Sequence, residues 1–187
     1  MCEDLIRCAL SDDWQNNARL NEPWVVDELV YTEGYRRGAQ LLFEHAEKNQ
    51  HDRNCLIYPI AYLYRHHIEL VLKHIIKRAP SLIGRPLTPE EEQHLKKHSL
   101  DLLWQDLKPM FDNIRRAAGW DAPAPAIEAI DDCIHRLNLL DPKSTSFRYP
   151  RSLPPDVKEI NIEEIERLAH LLSGLDSAVC HIGRSRD

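Results

Sequence analysis

Apolar residues return every three or four positions along most of the chain, the spacing that gathers them on one face of an α-helix. Over residues 24–48, Val25, Leu29, Tyr35, Ala39, Leu42, Phe43 and Ala46 mostly keep this step and predict a helix. Over 56–77 the pattern thickens to Ile57, Ile60, Ala61, Leu63, Tyr64, Ile68, Val71, Leu72, Ile75 and Ile76. Pro59 falls in the expected first turn of this segment, where its missing N–H costs little. A helix apolar over so much of its girth belongs at the centre of the molecule. A third helix is expected over 99–118, with Leu100, Leu103, Leu107, Phe111 and Ile114 inward, Pro109 kinking or dividing it, and Gly119 after its end. A fourth, over 124–141, carries Ile127, Ile130, Ile134 and Leu137. The last starts near Asn161, which has capping-box spacing to Glu164. Its Ile165, Leu168, Leu172, Leu175 and Val179 form a seam about two heptads long, fit to dock a helix of the same chain or of a second copy.

No alternating strand pattern with hairpin chemistry occurs, so the expected fold is all-α, a bundle of four or five helices. Residues 1–23 read as a polar arm or short helix, and 24–187 as a single bundle domain. Two connections look long: 79–97, holding Pro80, Gly84, Pro86 and Pro89, and 140–159, holding Pro142, Pro150, Pro154 and Pro155. With 187 residues, 43% hydrophobic and 29% charged, the chain closes one core and covers it with charge. The net charge of −6 excludes a basic coat over the whole surface but leaves room for a local basic groove.

Five cysteines, an odd number with no C-x-x-C spacing, argue against a disulfide framework or a zinc knuckle. The N-terminus lacks a signal-like run and no apolar stretch has the length of a membrane span, so a cytoplasmic protein without membrane contact is expected. Phosphate-loop, dinucleotide and nucleophile-elbow motifs are missing, and six glycines leave little material for a phosphate cradle. His94 and His98 have the i,i+4 spacing of a helical metal pair, but Lys96 and Lys97 between them oppose a cation; no metal or cofactor is expected.

Two segments hold candidate chemistry. Tyr62, Arg65, His66, Glu69 and Lys73 share one side of the most apolar helix. Arg65 suits bidentate contact with a phosphate or carboxylate, His66 suits proton transfer near neutral pH, and Glu69 suits orienting either one. The same stripe also suits a plain solvated face laced by Arg65–Glu69 and Glu69–Lys73 pairs. The turn from Asp141 to Pro150 joins hydroxyls to Phe147, Arg148 and Tyr149, a composition for cradling a phosphate or stacking a base, or for anchoring the loop to the bundle.

The run Tyr62-Leu63-Tyr64-Arg65-His66-His67-Ile68-Glu69-Leu70-Val71-Leu72-Lys73, the later His98-Ser99-Leu100-x-x-Leu103 and the late Phe147-Arg148-Tyr149-Pro150 together resemble the HEPN superfamily. The resemblance covers about residues 24–182. It implies a bundle of four or five helices, often a homodimer, at work in prokaryotic defence, toxin–antitoxin or nucleotide-linked systems. Active members are metal-independent RNases that use an Arg-x(4–6)-His motif, and here no Arg stands at that distance before a His. Arg37 and His45 have seven residues between them, Arg65 and His74 eight, Arg167 and His170 two. The reading that follows is a dimeric binding or scaffold module for RNA or a nucleotide, not catalytic, with Arg65, Glu69, Lys73, Arg148 and Tyr149 as ligand contacts. Its alternatives are a non-canonical RNase working through Arg65 and His66, and a purely structural interaction module whose apolar seam docks a partner protein from the same operon.

Overall fold

A computed structural model of the chain describes residues 28–117, 127–149, 152–157 and 159–184. The chain divides into two compact units, Met1–Tyr31 and Thr32–Asp187. Of the first, only 28–31 are described, as the opening of a helix; the expected arm over 1–23 lies outside the described residues. The second unit is all helical apart from its connections, and no strand occurs among the described residues.

Its elements are α1 (Glu28–Lys48), α2 (Gln50–Ile83), α3 (Pro89–His94), α4 (Leu100–Leu107), a 3-10 turn (Lys108–Met110), α5 (Phe111–Ala117), α6 (Ile127–Leu140) and α7 (Ile162–Arg184). The central helix is α2, packed along α7 and against α4 and α5, while α6 lies on α4 and α7. Ile68, Leu72, Ile75 and Ile76 of α2 are fully buried, with Leu100, Leu103, Leu107 and Ile114 facing them. The apolar girth of α2 thus follows from having helices on several sides.

The α7 seam is used inside the chain. Ile165, Leu168, Leu172, Leu175 and Val179 are all buried in the common core. Asn161 caps α7, its Oδ1 accepting from the Glu164 amide at 3.2 Å. Pro109 divides the third segment through the 3-10 turn, as its lost N–H requires.

Two boundaries differ from expectation. The central helix starts at Gln50 and ends at Ile83, so Pro59 is an interior residue and not part of the first turn. Residues 50–55 are exposed, so no apolar period marks that extension; Asn49 alone separates it from α1, and His45 and Asp52 pair across the joint at 2.7 Å. Gly84, in the left-handed conformation at φ 73°, ends α2 and donates to the Pro80 carbonyl. The expected loop 79–97 is therefore partly helical. Its α3 begins at a full capping box, Thr88 with Glu91, and has Pro89 in its first turn.

Candidate functional site

The polar stripe of α2 divides into a buried layer and an accessible layer. Arg65 is 0% exposed. It donates through Nη1 to Glu69 at 2.6 Å, through Nε to the Asp141 carbonyl at 3.1 Å, and through Nη2 to the His98 carbonyl. The Asp141 carboxylate lies 3.4 Å from the same Nε and, through Oδ1, accepts from the Thr145 and Ser146 amides at 2.6 and 2.8 Å. Ser144, at φ 58°, turns the chain within that cap. One guanidinium thus fastens the central helix to the start of α4 and to the 141–149 turn.

Glu69 is the hub beside it. Lys73 Nζ donates to its Oε1 at 2.8 Å, and His98 Nδ1 meets the same oxygen at 2.9 Å. Burial pushes the Glu69 carboxyl up, but hydrogen bonds from Lys73, Arg65 and His98 outweigh it and hold the group down at about 2. The stripe is therefore not a solvated face. Arg65 and Glu69, expected as ligand contacts, have almost no exposed surface in the folded chain. A charge inside a core must be paired to persist: Arg65 bonds Glu69 and two backbone carbonyls, and Glu69 bonds Arg65, Lys73 and His98.

Above this layer lies a ladder of rings. His66 is half-buried between Tyr35, edge-on with centroids 4.5 Å apart, and Tyr62, stacked at 5.8 Å with the planes within 8°. The Arg148 guanidinium carbon stands 5.6 Å from the centre of the Tyr62 ring and 5.7 Å from that of Tyr149. Arg148 Nε donates to the Ser144 carbonyl at 2.7 Å, so the turn that Arg65 secures also aims Arg148. Tyr149 is 58% exposed. The burial of His66 pushes its pKa below the usual 6.5; Glu69 opposes this, and Arg65, Lys73 and His98 add to it.

His66 and Arg65 do not converge on a common accessible point, because Arg65 is beneath the surface. His67, on the other side of α2, is a buried tie: Nδ1 contacts the Thr32 carbonyl at 2.9 Å and Nε2 the Ser173 hydroxyl at 2.8 Å. His94 and His98 turn to different partners, Asp106 and Glu69, and form no metal pair.

Asp141 and Tyr35 are the members of this arrangement that the sequence did not nominate as site residues. Asp141 carried one signal, its place before Ser and Thr in a polar turn. Concavities of about 440, 480 and 600 Å³ lie away from these rings, around Ile57, Leu140, Glu159 and Ile160. Among the described residues no helix is long and apolar enough to cross a membrane. The chain matches no family model, no curated protein and no solved structure.

Proposed function

We propose that the protein is a non-catalytic, HEPN-like binding module for single-stranded RNA or a nucleotide, acting as a homodimer in prokaryotic defence or a toxin–antitoxin setting. One observation carries the reading: the accessible ladder Tyr35–His66–Tyr62–Arg148–Tyr149, held from below by the Arg65–Glu69–Asp141 network. Aromatic faces stack bases without regard to sequence, and the cation among them attracts the phosphate backbone. The convergence of Glu69, Lys73 and His98, residues that carry the HEPN resemblance, supports the family reading as well. An Arg65 with no exposed surface beside His66 favours binding over cleavage.

Fluorescence anisotropy with labelled oligoribonucleotides and with free nucleotides tests this. Arg148→Ala and Tyr62→Ala weaken RNA binding, each base stack being worth about 1–3 kcal/mol, and the affinity of wild type falls as salt rises. Absence of RNA and nucleotide binding in wild type removes the proposal. Cleavage of the oligonucleotide that disappears in His66→Ala replaces it with the RNase alternative.

A further inference from the structure

A second polar cluster lies inside the core where α2 packs on α7. His74 of α2 meets Asp176 and Cys180 of α7, and the three residues are 2%, 2% and 4% exposed. A ring nitrogen, a carboxylate oxygen and the thiol sulfur, one from each, lie within 4.8 Å of one another. His74 Nδ1 is 2.6 Å from Asp176 Oδ1, and Cys180 Sγ is 4.0 Å from His74 Nε2. The approach of Nδ1 to Oδ1 is an ion-pair contact without hydrogen-bond direction, and Asp176 Oδ1 accepts no hydrogen bond among the described residues. A carboxylate oxygen left so in a core is costly and points to a further group that belongs with it.

We infer that His74, Asp176 and Cys180 form a buried site for a thiophilic divalent cation of the zinc type. Nitrogen, oxygen and sulfur donors on two rigid helices are the donor set zinc accepts, and a carboxylate with a thiolate neutralises its two charges. Zinc bond lengths place tetrahedral ligands roughly 3.3–3.8 Å apart. The observed spacings run from a tight 2.6 Å contact to separations no larger than 4.8 Å, so small side-chain rotations close the set. The fourth position is left to water. As the ion enters, the Cys180 thiol gives its proton to solvent and its sulfur bonds the metal.

Arg78 guards the site. Its Nε donates to His74 Nε2 at 2.7 Å. That hydrogen bond excludes a bound metal whichever ring nitrogen the metal takes. A metal on Nε2 occupies the lone pair Arg78 needs, and a metal on Nδ1 leaves Nε2 protonated, a donor that cannot accept. Arg78 is only half-buried, so its side chain can swing outward and open the way in.

Titration of the purified full chain with Co(II), followed by displacement with Zn(II), tests the site. Wild type develops the near-ultraviolet absorption of a cobalt–thiolate bond, and Zn(II) removes it. Cys180→Ala abolishes that band with the circular dichroism retained, and Asp176→Asn weakens binding. Arg78→Ala tightens binding about tenfold, since a hydrogen bond to a charged group no longer has to break first. A wild type without the band overturns the assignment, as does a band that survives in folded Cys180→Ala. If Cys180→Ala fails to fold, Arg78→Ala decides alone: unchanged or weaker binding refutes the site.

Discussion

Arg65 shows how burial changes the meaning of a side chain. Its guanidinium reaches Glu69, the Asp141 backbone and the His98 backbone with no exposed surface. Arg65→Ala leaves the buried Asp141 carboxylate without its cation and Glu69 with Lys73 and His98 alone, and the expected loss is about 3–5 kcal/mol in chemical denaturation, with RNA binding falling as the 141–149 turn loosens. Arg148→Ala removes a cation from exposed rings, so binding weakens while the melting temperature stays within a few degrees of wild type. The Glu69 carboxyl adds a pH dependence. Its folded value of about 2 lies below the ordinary 4.5, so its contribution is complete above 4.5 and is lost as pH falls towards 2. Acid unfolding followed by circular dichroism should show this limb in wild type, and Glu69→Gln should flatten it while lowering stability at neutral pH. Arg65 and Glu69 were legible in the sequence as an i,i+4 pair. Their burial was not, because it depends on Asp141 and His98, 76 and 33 residues away from Arg65.

At the scale of elements, α2 and α7 carry the structure. Leu72 is 0% exposed at the centre of α2, and Leu72→Ala should cost about 2–5 kcal/mol; a loss below about half a kcal/mol means that α2 is not the core helix. Asn161→Ala removes an exposed cap and should cost about 1 kcal/mol, measured by urea unfolding. The apolar seam of α7 was readable from its steps of three and four, but a seam does not say which helix fills it. The tertiary structure gives it to the chain's own core, so Leu172→Glu should unfold the protein and not merely separate two copies. The start of α2 at Gln50 was hidden for a related reason: the turns over 50–55 face solvent, where helices show no apolar period.

For the whole molecule, a net charge of −6 makes any attraction to nucleic acid local, and the contact proposed at the Arg148 ladder is a local one. The homodimer belongs to the proposed HEPN-like reading, and sedimentation equilibrium at tens of micromolar should give twice the 21.8 kDa chain mass. Leu41, Tyr58 and Leu139, each about half exposed or more, are surface positions where such an interface can form; the α7 seam is not. A monomer throughout that range removes the dimer from the proposal and leaves the ladder untouched.

Local pattern alone determined the helical class, the central place of α2, the break at Pro109 and the cap at Asn161, since each depends on residues within one or two turns. It also placed Arg65, His66, Glu69 and Lys73 on one side of a helix. Only the packing of that helix against distant elements decided which of them meet solvent. It sank Arg65 and Glu69 under the 141–149 turn, left His66 between two tyrosine rings, and brought His74 to Asp176 and Cys180 across the α2–α7 contact. Helical spacing records the direction in which a side chain leaves its own axis; what stands in that direction is set by the rest of the chain.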